Sequence, residues 1–120
     1  MAKLKWIDLT VYQGDPATIE TTAEDADGNP IDFSQTGADA QFNMGRDWTN
    51  DPLIEYELGD AAMDGDSTGN ITITLSESDT VNLNVAHRYV FTLWTKAENG
   101  DLRATAEGQM TIRGTSRRSA

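Results

Sequence analysis

His87 to Arg113 reads HRYVFTLWTKAENGDLRATAEGQMTIR, two alternating runs joined by Glu98, Asn99, Gly100 and Asp101. Asn-Gly between segments of period two is the strongest short-range signal for a β-hairpin. A two-residue type I′ turn at Asn99 and Gly100 sets Leu93 opposite Ala106, Phe91 opposite Gly108 and Tyr89 opposite Met110. In that register Tyr89, Phe91 and Leu93 share a face with Leu102, Ala104, Ala106, Met110 and Ile112. Slipping one strand by a residue would send one of these sets into solvent, so the apolar pattern itself specifies the pairing. Gly108 opposite Phe91 leaves room for the ring. The other face carries Arg88, Thr92, Lys96, Arg103, Thr105, Glu107, Gln109 and Thr111, as expected of a half-solvated antiparallel sheet. Val90 and Trp94 interrupt that polarity. Something is therefore expected to cover part of this face, either a partner or another segment of the chain such as the one near Trp6.

Working outward from the hairpin, further alternating segments appear at 4–13, 17–24, 38–44, 52–58 and 70–75, separated by clusters of Gly, Pro, Asp and Asn. Pro52 at the start of one segment and the outward acids Glu55 and Glu57 suit a sheet edge. Residues 59–69 read as loop. The only helical signal is Ser76 to Leu83, where Ser76 and Asp79 have the spacing of a capping box. About seven strands with almost no helix predict an all-β chain, a single antiparallel sandwich of immunoglobulin-like size with one short helical turn. Residues 1–113 form the sandwich in this reading, and 114–120 a flexible basic tail.

The chain has 120 residues, no cysteine and a formal charge of −11. One domain of this length buries a core without disulfides or structural metal. Five of the nine basic residues, Lys3, Lys5, Arg113, Arg117 and Arg118, lie at the ends; between Trp6 and Ile112 four basic side chains face 20 acids. Phosphate attraction needs clustered Lys and Arg, so neither nucleic acid nor an anionic membrane is an expected partner. No segment is apolar enough for a signal peptide or a bilayer span, and synthesis in a cytoplasm is expected.

Catalytic signals are lacking. His87 is the only histidine, no GxSxG elbow exists, and abundant acids make carboxylate pairs trivial to find. No enzyme activity, cofactor or small-molecule substrate is expected. Asp64 to Ile71 resembles the first two thirds of a calcium loop, but twelve-residue numbering places Leu75 where the closing glutamate belongs. Asp60, Asp64 and Asp66 are the residues through which a weak ion site would act; the alternative is an ordinary acidic turn. Asp25, Asp27 and Asn29 read as turn chemistry before Pro30. Trp48 beside Asp47 and Asp51 is a candidate sugar platform, or a ring packed over the end of the sandwich.

The order of these motifs resembles small phage structural domains similar to the N-terminal domain of baseplate upper proteins. The residues that carry it are Gln13 to Asp15, the turn Asp25 to Pro30, Asp32 to Gly37, the strand Gly69 to Leu75, the turn Leu75 to Thr80, and the hairpin Tyr89 to Ile112. Residues 32–37 are longer than in the compact family form, and no coiled coil or receptor-binding module follows. The resemblance implies a non-catalytic virion component, in the tail, the baseplate or a fibre attachment, that docks other virion proteins. A capsid decoration protein is the alternative within the virion; a sugar- or calcium-binding adhesion module is the alternative of another class. The docking residues expected on the hairpin's outer face and tail are Arg88, Val90, Trp94, Lys96, Arg103, Arg117 and Arg118. Trp and Arg are the residue types that most often anchor buried interfaces. The apolar area is small, so the free protein is expected to be monomeric or weakly associated.

Overall fold

A computed structural model of the chain describes residues 4–48, 52–85 and 87–114. Eight strands follow one another, with a single helical turn: β1 (Lys5–Tyr12), β2 (Ala17–Thr22), β3 (Asp39–Gly45), β4 (Ile54–Glu57), β5 (Met63–Gly65), β6 (Asn70–Leu75), α1 (Glu77–Val81), β7 (Arg88–Lys96) and β8 (Arg103–Arg113). They form a five-stranded sheet in the order β1-β8-β7-β3-β4 and a three-stranded sheet in the order β2-β6-β5. The two pack as an immunoglobulin-like sandwich, as the strand pattern predicts. Phe42, Met44, Ile71, Ile73, Leu75, Tyr89, Phe91, Leu93, Met110 and Ile112 fill the space between them and are almost wholly buried.

The hairpin register follows the sequence expectation through most of its length: Tyr89 faces Met110, Phe91 faces Gly108 and Leu93 faces Ala106. Beyond that point it departs. Trp94 faces Ala104, so Thr105 has no residue opposite it and forms a β-bulge. The extra residue reverses the facing of everything that precedes it on β8. Thr105 turns inward and its hydroxyl bonds that of buried Thr95, whereas Leu102, expected in the core, is 41 % exposed. Residues 97–102 form the connection. Gly100 does not take the left-handed conformation that a type I′ turn requires; its N–H instead bonds the Ala97 carbonyl at 3.0 Å. The loop is drawn onto the backbone of Gly37, where even a Cβ would collide with the Glu98 carbonyl. Tertiary contact has overridden the local turn preference.

Strand β1 runs parallel to β8, whereas the other strand pairs among the described residues are antiparallel, and Ile7 lies beside Gly108. A methyl group on Gly108 would overlap the Ile7 carbonyl and come within 2.9 Å of the Phe91 ring. This glycine is therefore required by the approach of backbone on one side and an aromatic ring on the other. At the opposite end, buried Tyr89 accepts a hydrogen bond from the Asn84 N–H at 2.8 Å. That is the tyrosine corner of immunoglobulin-type sandwiches. Two residues on, where antibody domains carry a half-cystine, Phe91 lies 5.6 Å from Phe42 of β3. The two rings belong to neighbouring strands of the five-stranded sheet and pack side by side in the core.

Residues 59–69, expected to be loop, contain the short strand β5, which pairs with β6. The capping box of α1 forms as predicted. Ser76 Oγ accepts from the Asp79 N–H, and Asp79 Oδ2 accepts from the Ser76 N–H at 2.9 Å. The same carboxylate oxygen accepts from the Tyr56 hydroxyl of β4 at 2.5 Å. Thr80 Oγ1 donates to the Asp15 carbonyl at 2.7 Å. One helical turn thus ties the edge of the five-stranded sheet to the end of the three-stranded one.

Two predictions follow from this packing. Replacing Gly108 with valine sets a branched side chain against backbone that cannot rotate away, and should destabilise the fold by about 3 kcal/mol, the upper end of overpacking costs. An unchanged denaturation midpoint would contradict the register. Burial, and then the bond to Asp79, push the Tyr56 hydroxyl up to about 12 from 10.0. The folded state therefore holds this proton more tightly than the unfolded chain. Its contribution is complete below pH 10 and is lost as the pH rises through about 12. Stability measured across that window should fall less steeply in Tyr56→Phe than in the wild type.

Candidate functional site

The face of the five-stranded sheet that points away from the second sheet gathers the chain's tryptophans. Ile7, Leu9 and Val11 of β1 turn inward against the core, so Trp6, Asp8, Thr10 and Tyr12 turn outward. Register then places Trp6 in one row with Glu107, Thr92, Asn43 and Glu55. Trp94 shares a row with Gln41 and Glu57, and faces small Ala104 across the hairpin. The segment that leaves β3 after Gly45 folds back over this face until the Trp48 ring stands 6.5 Å from that of Trp6, inclined at 55°. Trp6 is 51 % exposed and Trp48 52 %. No tryptophan enters the core, which is built from Phe, Met, Ile, Leu and Tyr.

The expected docking residues are distributed differently from the sequence reading. Val90 and Trp94 are half-buried on the outer face, Val90 between Gly45 and Gln109 and Trp94 between Gln41 and Ala104. Arg88 lies on the same face, exposed, with Nη1 3.5 Å from Gln109 Oε1. Lys96 sits opposite Asp39 and donates to the Gly37 carbonyl at 3.4 Å, toward the end of the sandwich. Arg103 is a correction. It pairs with inward-facing Thr95 because the bulge intervenes, and lines a depression with Glu24 and Asp25. It does not belong to the outer face. Arg117 and Arg118 lie outside the described residues.

Tyr12 and Arg113 escaped the sequence reading. Tyr12, 46 % exposed, pairs with Arg113 at the end of the sheet. There the two line an open depression of about 580 Å³ with Val85 and Arg88. The outward position of Trp6 and Tyr12 was readable from the period of β1; their partners, distant in sequence, were not.

The acidic loops use their own carboxylates. Asp66 Oδ1 accepts from the N–H groups of Thr68 and Asn70 at 2.8 and 3.0 Å and from Thr68 Oγ1, while Oδ2 accepts from Asn70 Nδ2. The Thr68 hydroxyl and the backbone N–H groups hold the Asp66 carboxyl below its usual range. Asp60 Oδ2 accepts from the Glu57 N–H at 2.7 Å, and Asp64 belongs to β5 beside Thr72. Asp32 closes a similar turn on Ser34 and Gln35, and these bonds lower its carboxyl too. Asp25 accepts from Asp27 and Asn29. Among the described residues no three His, Asp or Glu side chains converge as metal ligands would. His87 is exposed at the start of β7 with its ring edge-on to Tyr89. Asp51, part of the sugar reading, lies outside the described residues, and the Trp6–Trp48 pair is angled instead of presenting one flat platform.

No protein-family model matches the chain, and no curated protein matches it. Among solved structures it is similar to extracellular domains 3–5 of Drosophila OTK, at 14 % identity and a TM-score of 0.39. The match covers 90 % of this chain and 32 % of that one, so this chain spans about a third of the neighbour's length.

Because Asp60 and Asp66 are spent on backbone N–H groups and no three carboxylates converge among the described residues, calcium at millimolar concentration should leave the melting temperature unchanged. Ligand binding to the native state must stabilise it, so a rise of several degrees would establish an ion site.

Proposed function

We propose that this chain is a non-catalytic structural component of a bacteriophage virion, in the tail, the baseplate or a fibre attachment. It docks a neighbouring virion protein through the outer face of its five-stranded sheet. The observation that carries the docking reading is the placement of Trp6, Trp48 and Trp94 on that one face, with Arg88, Tyr12 and Arg113 at its end. A chain that keeps its largest apolar side chains out of the core gains nothing in stability from exposing them, whereas Trp, Tyr and Arg dominate the energetics of protein interfaces. The virion assignment rests on the order of turn and strand motifs from Gln13 to Ile112. The sandwich supplies a rigid platform on which the face is displayed.

The test is made on particles assembled with tagged copies of the chain. Mass spectrometry of purified particles should find the wild type. The double variant Trp6→Ser, Trp48→Ser should fold with a near-native melting temperature and be depleted at least tenfold. Absence of the wild type from particles would overturn the virion reading. Retention of the double variant would overturn the docking face.

A further inference from the structure

We propose that the free edge of β1 is a pairing site for a second copy of this chain, joined antiparallel about a two-fold axis. Gln13 at the end of β1 donates its N–H to the Arg113 carbonyl at 2.8 Å. Odd-numbered residues of β1 therefore direct their backbone groups toward β8. Trp6, Asp8, Thr10 and Tyr12 direct theirs away from the sheet. The Tyr12 carbonyl is taken by the Asp15 N–H at 3.0 Å; among the described residues nothing pairs with the outward N–H and C=O groups of Trp6, Asp8 and Thr10. Ile7 and Leu9, although they face the core, are only half-buried, because no strand covers their outer side.

The other three edges are blunted. β5 has three residues, and β4 has four with Glu55 and Glu57 outward. β2 follows Pro16, and Lys5 Nζ caps its terminal Thr22 carbonyl at 2.9 Å. β1 has eight residues and no proline. A long, apolar, unpaired edge of this kind is a template for another strand.

Two same-face registers overlap most of β1, and one of them is self-complementary. Residues that face each other across an antiparallel pair share a side of the sheet, so an outward residue must meet an outward residue. Centring the two-fold on Asp8 would set two carboxylates face to face, which is unfavourable. Centring it on Leu9 places Trp6 opposite the second copy's Tyr12 and Asp8 opposite Thr10 on the outer side. Ile7 then meets Val11 and Leu9 meets Leu9 on the inner side. Aromatic and β-branched pairs of this sort are the favourable ones in sheets. The two five-stranded sheets become one, with both Trp6–Trp48 pairs on the same face. The contact is isologous, as in most homodimers. A single edge is smaller than the interface of a stable dimer, so association is weak and fills when copies are concentrated or held side by side. This pairing is made by the backbone edge of β1, shares only Trp6 and Tyr12 with the docking face, and holds whether or not the virion reading does.

Sedimentation equilibrium of the purified full chain, from micromolar to millimolar concentration, tests it. The wild type should dimerise reversibly, and more strongly as salt screens the −11 charge on each copy. Thr10→Lys, which puts an ammonium opposite Asp8 twice per dimer, should tighten the dimer by roughly three- to tenfold, and Thr10→Asp should loosen it by a similar factor. Thr10 is exposed, and thermal melts of both variants control for folding; if Thr10→Asp fails to fold, the lysine variant decides alone. A chain that stays monomeric at millimolar concentration and high salt overturns the proposal. So does a dimer whose affinity ignores both charge changes.

Discussion

The close approach of β1 to Gly108 is the constraint on which the rest of the sandwich depends. A strand added in parallel beside β8 closes one side of the five-stranded sheet, and it lies close enough only because position 108 has no Cβ. The same missing side chain admits the Phe91 ring, which packs against Phe42 of the neighbouring strand β3. Ile7, Leu9 and Val11 then cover the core from the edge, and the alternate residues of β1 must face outward. The exposure of Trp6 is thus the other side of a core requirement, and its pairing with Trp48 follows from where the β3–β4 segment comes to rest.

Much of this was legible in the sequence because a strand with one buried face leaves a period-two trace. Tyr89, Phe91 and Leu93 against Met110, Gly108 and Ala106 admitted one register, and the structure has it. The capping box was legible because Ser76 and Asp79 act locally. The bulge was not. Ala104 and Thr105 are both small enough to face either way, and Leu102 alternates with Arg103 in phase with an unbroken strand. Only the buried pairing of the Thr95 and Thr105 hydroxyls and the packing of residues 97–102 on Gly37 decide it. That single inserted residue removes Arg103 from the outer face, so one member of the docking set expected from sequence lies elsewhere. β5 was missed because Met63 is its sole large apolar residue, too little for a periodic signal. The parallel partner of β1 depends on a long crossover, about which local pattern is silent.

The outer face owes its character to composition as well as geometry. With 20 acids in the chain, most exposed surfaces are negative. The tryptophan region is a mixed patch where Glu107, Asn43 and Thr92 separate rings, and Arg88 and Arg113 close one end. The acidic turns do structural work instead, since each of Asp25, Asp32 and Asp66 satisfies N–H groups that a tight reversal leaves unpaired. Charge in this molecule is thus mostly turn chemistry and solvation, and the docking we propose rests on aromatic area and two arginines held on a rigid sheet.

Hydroxyl-radical footprinting of the chain, free and in assembled particles, tests the docking face most directly because it reads each tryptophan separately. Trp6 and Trp48, half-exposed in the free chain, should become strongly protected in the particle, while exposed Val81 of α1 keeps its rate. Unchanged oxidation of both tryptophans, together with protection of any other surface, would contradict the account.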